Sequence, residues 1–200
     1  MAEVPGQRPV RVAPSELVLG ASAAAKMART QALATAWLEQ GEGHRVVYID
    51  TAQAWDAEMR ALVEAHRRSL DRPRLVTVEE PTELAHALGS GSRPDTLIVV
   101  DCLTLWLTAS LMQALTPDES DAYMDGTQPH RSPTLAEAVR ACKGPLVLIS
   151  HQLDPQALPP RKDLDAFIDT LGSLNQQAAA ACERVTLVTA GQALALKEPA

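Results

Sequence analysis

Six short runs of apolar residues recur along the chain, separated by stretches of helical composition. Val, Ile and Leu occupy consecutive positions in several of these runs. Such runs are typical of strands buried on both faces, as in parallel sheets covered by their connecting helices. The strand candidates are ELVLG (16–20), RVVYID (45–50), RLVTVE (74–79), TLIVVD (96–101), PLVLIS (145–150) and RVTLVT (184–189). The sequence therefore predicts an α/β protein with a mostly parallel sheet flanked by helices.

The stretches between these runs carry helical composition and spacing. The predicted helices are 23–40, 56–70, 103–115, 134–142 and 163–182. A chain of 200 residues that is 46% hydrophobic can fill one core, so we predict a flexible N-terminal extension over 1–15 and a single domain over 16–200. The acidic stretch 116–133 is predicted to be a surface loop, and 154–163 is a candidate ligand-binding loop because it follows a strand end.

Charge and composition exclude several classes of partner. The formal net charge of -7 argues against nonspecific binding of nucleic acid or an anionic membrane. No apolar run approaches the roughly 20 residues that span a bilayer, and the N-terminal residues lack the apolar stretch of a signal peptide. Cys102, Cys142 and Cys182 form no CxxC pair. We therefore expect a cytoplasmic protein with reduced thiols, no membrane span and no nucleic acid partner.

The stretch LVLGASAAAKMAR (17–29) runs from a predicted strand through a glycine into a predicted helix. A phosphate-binding P-loop has the pattern G-x-x-x-x-G-K-[ST] here, with N–H groups and lysine on the phosphates and the hydroxyl on magnesium. The aligned positions are Gly20, Ala21, Ser22, Ala23, Ala24, Ala25, Lys26 and Met27. Ala25 replaces the second glycine and Met27 the hydroxyl residue. These residues alone leave open a degenerate P-loop or an ordinary strand-to-helix turn with a solvated lysine.

Asp101 ends TLIVVD, the most apolar of the predicted strands. P-loop proteins place the acidic residue that positions magnesium at such a strand end. An acidic residue there can equally cap the following helix. Both interpretations of Asp101 stand on the residues alone.

Three further strings resemble the bifunctional adenosylcobinamide kinase / adenosylcobinamide-phosphate guanylyltransferase family of cobalamin biosynthesis. They are YIDTAQAWDAEMRALVEAHRR (48–68), VVDCLTLWLT (99–108) and LGSLNQQAAAACERVTLVTAG (171–191). The resemblance implies a P-loop NTPase fold of RecA-like type and a homo-oligomer, often a trimer. It also implies that GTP or ATP, with Mg²⁺, phosphorylates adenosylcobinamide, and that GMP is then transferred from GTP to adenosylcobinamide phosphate.

In this family the GMP is carried on a histidine, and His66 falls at that position. A neutral imidazole nitrogen can attack the α-phosphorus and leave again. By helical spacing alone, His66 follows Met59, Leu62 and Val63 and would border an apolar helix face. The other histidines have no metal-ligand spacing and are predicted to be surface or loop residues. They are His44, His86, His130 and His151.

The same resemblance implies a set of nucleotide-binding residues, with Asp101 also serving as the magnesium ligand. They are Gly20, Ala21, Ser22, Ala25, Lys26, Met27, Thr51, Gln53, Arg67, Glu79 and Asp101. Thr51, Gln53, Glu79 and Asp101 have an alternative role in a turn or cap, and Arg67 one at a solvated helix end. Asn175 matches a family signature, and hydrogen bonding within the packed structure is its alternative role.

The chain departs from the family pattern mainly where phosphate chemistry belongs. Ala25 and Met27 alter the loop, residues 151–154 read HQLD in place of the family's Asn-Glu-Val-Gly, and Ile168 replaces an arginine. These changes count against the kinase step, which needs magnesium and the loop donors together. On the resemblance, we predict a transferase that moves GMP from GTP through a histidine. The alternative is a noncatalytic relative that binds a corrinoid, a nucleotide or a protein partner.

Overall fold

The structure is a computed structural model that describes residues 10–52, 74–115, 133–153 and 162–199. Within these residues seven strands form one sheet in the order β3-β2-β4-β5-β1-β6-β7. Neighbouring strands are parallel except β6 and β7, which are antiparallel. The strands are β1 (Ser15–Leu19), β2 (Arg45–Asp50), β3 (Leu75–Glu79), β4 (Thr96–Asp101), β5 (Leu146–Ile149), β6 (Arg184–Thr189) and β7 (Gln192–Lys197). The predicted α/β class with a mostly parallel sheet is confirmed.

Five helices fall within the described ranges. They are α1 (Ala23–Glu39), α2 (Leu84–Gly91), α3 (Leu103–Leu115), α4 (Leu135–Ala141) and α5 (Lys162–Ala181). Thr134 and Glu137 begin α4 with a capping box in which each side chain bonds the backbone N–H of the other. The predicted helix 56–70 lies outside the described residues. None of the described helices is long and apolar enough to cross a membrane.

The sheet buries both of its faces, which explains why apolar residues follow one another in the strands. Along β4, Ile98 and Val100 belong to one core cluster, whereas Leu97 and Val99 belong to a second cluster. The first cluster includes residues of α2, α4 and α5, and the second includes residues of α1. The pattern is that of a sheet covered by helices on both sides.

A buried carboxylate fixes α1 against the sheet. Glu16 of β1 is 0% exposed, and its Oε1 lies 3.0 Å from Nη2 of Arg29 on α1. Its Oε2 lies 3.3 Å from Nη1 of Arg184, and the hydroxyl of Thr186 donates to Oε1 at 2.8 Å. These bonds pair the buried charge and satisfy its oxygens, as a buried ion requires. They also tie the second turn of α1, through Arg29, to β1 and β6.

The register of the sheet brings acidic residues to one edge. Asp50 at the end of β2 is paired with Glu79 of β3 on one side and with Asp101 of β4 on the other. Asp101 is in turn paired with Ile149 of β5. Carboxyl ends of parallel strands are where α/β proteins bind ligands. The residues that follow these strand ends therefore form the region where a site is expected.

Candidate functional site

The turn that joins β1 to α1 consists of Gly20, Ala21 and Ser22. Gly20 packs so closely against β6 that a Cβ there would lie 2.5 Å from the carbonyl oxygen of Val188. Ser22 is the N-cap of α1, and its hydroxyl accepts a 3.3 Å hydrogen bond from the N–H of Ala25. The helix thus begins three residues before Lys26, and part of the stretch that would wrap a phosphate in a complete P-loop is wound into helix.

Lys26 is buried at the start of α1 and is 1% exposed. Its Nζ donates a 2.7 Å hydrogen bond to the carbonyl oxygen of Gly20. Burial lowers the pKa of Lys26, whereas Cys102 and Asp101 act in the opposite direction. Because a buried ammonium has lost its hydration, an anion that reaches it gains more than it would at the surface. Lys26 is therefore not the solvated lysine of an ordinary turn.

A cleft of about 440 Å³ opens at the carboxyl edge of the sheet beside Lys26. Its polar lining consists of Lys26, Asp50, Asp101, Cys102 and His151, which come from α1 and from the ends of β2, β4 and β5. Alanine, methionine, leucine and isoleucine side chains complete the walls. A mostly apolar cleft with a few converging charged groups is the usual form of a small-molecule site.

Several predicted nucleotide-binding residues lie in or beside this cleft. Lys26, Met27 and Asp101 line it, and the carbonyl of Gly20 holds Lys26. Ala21 and Ser22 are exposed in the turn, and Ala25 is half-buried in the first turn of α1. Glu79 is exposed at the end of β3, two strands away from Asp101. His66, Gln53 and Arg67 lie outside the described residues.

Thr51 connects the end of β2 to the end of β4 and is fully buried. Its hydroxyl donates to the carbonyl of Cys102 at 2.7 Å and accepts from the N–H of Cys102 at 2.9 Å. Its own N–H donates to the carbonyl of Asp101 at 3.1 Å. These bonds hold the backbone around Asp101, so the structure gives Thr51 a positioning contact.

His151 was predicted to be a surface or loop residue, and it does lie outside helix and strand, directly after β5. The side chain is half-buried and lines the cleft, with Nδ1 3.0 Å from the hydroxyl oxygen of Thr104 and 4.0 Å from Sγ of Cys102. Burial lowers the pKa of His151, as does the charge of Lys26, while Asp101 raises it. The sequence could not reveal this position because it depends on β5 lying between β4 and β1.

Asp50 is a second residue of the cleft that the sequence reasoning missed. It is 7% exposed, and its Oδ1 accepts a 2.9 Å hydrogen bond from the N–H of Ala52. The signal was available, because Asp50 ends the strand RVVYID just as Asp101 ends TLIVVD. Applying the same rule to both strands would have identified the pair.

The donor set at this edge fits Mg²⁺ in part. Asp50 and Asp101 lie next to each other in register and both line the cleft, and Mg²⁺ is usually bound through one or two carboxylates with phosphates and waters. Met27 offers a thioether where a complete P-loop has a hydroxyl, and a thioether is a poor ligand for this ion. Within the described residues, no group of three or more His, Cys, Asp or Glu side chains could hold a metal. The site therefore suits a Mg²⁺ ion whose remaining ligands are phosphate oxygens and waters.

Asn175 of α5 contacts the backbone of His151. Its Nδ2 donates a 3.0 Å hydrogen bond to the carbonyl oxygen of His151. The predicted hydrogen-bonding role of Asn175 is thus observed, and its acceptor is a backbone group of the cleft. The contact fixes the chain where it leaves β5.

The chain was compared with solved structures and with curated proteins. Among solved structures, the chain is similar to flagellar accessory protein FlaH from Methanocaldococcus jannaschii, with a TM-score of 0.46, 12% identity, and coverage of 94% of this chain and 80% of that one. It is 33% identical over 183 residues to the bifunctional adenosylcobalamin biosynthesis protein CobP of Pseudomonas aeruginosa. This match covers 91% of this chain and 96% of CobP.

Over 186 residues it is 30% identical to the bifunctional adenosylcobalamin biosynthesis protein CobU of Escherichia coli, covering 90% of this chain and 98% of that protein. The family model for cobinamide kinase / cobinamide phosphate guanyltransferase matches residues 16–196. This range includes all seven strands of the sheet except the first residue of β1 and the last of β7. The chain therefore belongs to the cobinamide kinase / cobinamide phosphate guanyltransferase family, a family of nucleotide-using enzymes.

Proposed function

We propose that the cleft binds the triphosphate of GTP, and that the chain transfers GMP from it to adenosylcobinamide phosphate. The observation that carries this proposal is the buried ammonium of Lys26, which lines the cleft together with Asp50 and Asp101. A phosphate adds negative charge beside this ammonium, which has lost its hydration on burial. The first turn of α1, whose positive dipole end faces the same region, favours the same ligand.

The group that accepts GMP is proposed to be His66, on the family resemblance. A neutral ring nitrogen of His66 forms a bond to the α-phosphorus while the bond from that phosphorus to the bridging oxygen breaks and pyrophosphate leaves. A phosphate oxygen of adenosylcobinamide phosphate then attacks the same phosphorus, and the nitrogen–phosphorus bond breaks. Both steps require that the α-phosphate be held in line, which we assign to Lys26 and to the walls of the cleft.

Asp50 and Asp101 would hold Mg²⁺ on the triphosphate, where the ion supplies charge neutralisation to the phosphate oxygens. The carboxylate of Asp50 and the backbone of Asp101 are held before the nucleotide binds. Asp50 is fixed by its bond to Ala52, and the backbone of Asp101 by its bond to Thr51. Such preorganisation reduces the ordering that binding requires.

The kinase activity has less support in the same geometry. Phosphoryl transfer relies on loop N–H groups and a hydroxyl around the outer phosphates, whereas here α1 begins at Ala23 and Met27 replaces the hydroxyl. The same observation favours the second candidate function, a noncatalytic relative that binds a corrinoid, a nucleotide or a protein partner. The family's trimeric assembly stays a prediction for this chain.

The test is intact-mass spectrometry of the purified protein after incubation with GTP and Mg²⁺. We expect a mass gain of one GMP that is absent in His66→Ala. His86→Ala is a matched control, because His86 is exposed on α2, away from the residues that line the cleft, and it should retain the adduct. ATP in place of GTP tests the nucleotide preference.

An adduct that persists in His66→Ala would assign the transfer to another residue. No adduct in wild-type protein, with its fold verified by circular dichroism, would favour the noncatalytic alternative. Adding adenosylcobinamide phosphate to the GMP-loaded protein should remove the adduct. A stable adduct under those conditions would contradict the second transfer step.

A further inference from the structure

His151 occupies a central position at the edge where the nucleotide is proposed to bind. It follows β5, and β5 lies between β4 and β1 in the sheet. The residue therefore stands between Asp101, which ends β4, and the turn at Gly20, which follows β1. Its side chain lines the same cleft as Lys26 and Asp101. A phosphate chain that extends from Lys26 toward Asp101 passes this side chain.

Thr104 contacts both the backbone N–H and the ring of His151. The hydroxyl oxygen of Thr104 accepts a 3.2 Å hydrogen bond from the backbone N–H of His151 and lies 3.0 Å from Nδ1 of the same residue. A threonine hydroxyl has one hydrogen to donate, and in a neutral imidazole one nitrogen accepts while the other carries hydrogen. The hydroxyl of Thr104, which has two lone pairs, can donate its hydrogen to Nδ1, which leaves the N–H on Nε2, or it can accept from Nδ1–H. The first of these arrangements is the one that presents a ring N–H to the cleft.

The surroundings of the ring favour its neutral form. Burial and the ammonium of Lys26 lower the pKa of His151 from its ordinary value of 6.5, against the opposing effect of Asp101. Sγ of Cys102 lies 4.0 Å from Nδ1. Burial and Lys26 thus favour the neutral ring, in which one nitrogen accepts and the other donates.

The backbone of His151 is held from two sides. Its N–H is bonded to Thr104 of α3, and its carbonyl accepts a 3.0 Å hydrogen bond from Nδ2 of Asn175 on α5. The ring is thus oriented by a side chain of one helix while its peptide is anchored to another. A donor that is fixed before the ligand arrives loses little conformational freedom on binding.

We propose that His151 donates its Nε2–H to a phosphate oxygen of the nucleotide between Lys26 and Asp101, and that Thr104 is the positioning residue that fixes this tautomer. The inference rests on the function proposed above and assigns to that site a specific donor. A neutral donor adds a hydrogen bond to the phosphate without placing a second cation beside the buried Lys26. It also supplies an N–H where the stretch 23–25, wound into α1, offers fewer loop N–H groups.

The proposal is tested by isothermal titration calorimetry with two probes, GTP–Mg²⁺ and inorganic tripolyphosphate. His151→Leu removes the donor, while His151→Gln places an amide nitrogen near the position of Nε2. Loss of one hydrogen bond to a charged group weakens binding about 10-fold or more. We expect that loss for both probes in His151→Leu, and an affinity within about 3-fold of wild type in His151→Gln.

Thr104 provides a matched pair of variants. Thr104→Ser keeps the hydroxyl and should bind GTP as wild type does, whereas Thr104→Val should weaken it in the same direction as His151→Leu. Two-bond ¹H–¹⁵N spectra of protein labelled on histidine should show the Nε2–H tautomer for the signal that is missing in His151→Gln. The Nδ1–H tautomer at that signal would overturn the assignment, whatever the affinities.

The outcomes separate this inference from the function on which it rests. If wild-type protein binds neither probe, the proposed function fails and the inference fails with it. If wild-type protein binds GTP and His151→Leu binds it equally well, the inference alone is overturned. If His151→Gln binds as weakly as His151→Leu, the side chain does not act as an N–H donor, and the proposal is also overturned.

Discussion

Replacing Lys26 by methionine should stabilise the protein while removing its affinity for nucleotide. The buried ammonium is 1% exposed and donates one 2.7 Å bond to Gly20. Burying an ammonium costs several kcal/mol, whereas a hydrogen bond from a charged donor returns about 1.5–3 kcal/mol. Methionine is unbranched and flexible enough to fill the same space. In the variant the carbonyl of Gly20 loses its hydrogen-bond donor, and water in the adjoining cleft can donate to it instead.

The net effect of Lys26→Met is therefore a gain of about 1 kcal/mol in the free energy of unfolding, or about 2–4 °C for a chain of this size. The direction in which the free energy of unfolding changes with pH follows from the lowered pKa of Lys26. Between this pKa and the ordinary value of 10.5, the unfolded state binds more protons than the folded state. Wild-type stability gains from this group as pH rises through that window. The advantage of Lys26→Met should shrink accordingly in alkaline buffer.

Urea unfolding and differential scanning calorimetry measure this effect, with Lys143→Met as the matched control. Lys143 is exposed after α4, so its substitution should change the free energy of unfolding by less than about 0.5 kcal/mol. GTP should raise the melting temperature of wild type and of Lys143→Met, but not that of Lys26→Met. A Lys26→Met variant less stable than wild type at pH 7 would refute the claim that the ammonium is held at a cost for ligand binding.

Three further predictions follow from single contacts. Gly20→Ala should lower the free energy of unfolding by about 1–3 kcal/mol, since its Cβ would lie 2.5 Å from a backbone oxygen; an unchanged urea midpoint would contradict this packing. Thr134→Ala should cost about 1 kcal/mol by removing the cap of α4, and Thr134→Ser should restore most of it; equal melting temperatures of the two variants would argue against the cap. Burial raises the pKa of Cys182 to about 12 from 9.0. Iodoacetamide should therefore label Cys182 at pH 8 about 1000-fold more slowly in folded protein than in urea. In folded protein, the labelling rate should rise about tenfold for each unit of pH. Peptide mass spectrometry checks this, and fast labelling of folded protein would show that the thiol is accessible.

The strands and four of the described helices were predictable because burial leaves a pattern in the sequence. All six predicted strands occur, with ends that differ from the prediction by at most one residue. β7 was missed because all six of its residues are exposed, so no burial pattern marks it. α2 was also missed, since its last residues GSG disfavour helix. Leu84 and Leu88, both 0% exposed, hold it through tertiary contacts.

The site was predictable only where a motif is local in sequence. Lys26 and Asp101 were found because each belongs to a short string whose chemistry is known. His151 was predicted only to be a surface or loop residue, because a polar residue after a strand usually lies in a loop. Its place in the cleft results from the order of the strands, and that order is set by long-range pairing. Strand order is not encoded in any single segment, so residues that depend on it are found only from the structure.

The departure from the P-loop pattern and the early start of α1 have one physical cause. Residues 23–25 are all alanine, which has the highest helix propensity, whereas glycine at such positions favours irregular backbone by about 1 kcal/mol per residue. Alanine at these positions therefore adds a turn to the start of α1, with Ser22 as its cap. Lys26 then becomes the fourth residue of a helix, and its ammonium turns back to the carbonyl of Gly20. A phosphate that binds here meets a helix end and a buried lysine instead of a loop of N–H groups, which is why a fixed donor from the neighbouring strand gains importance.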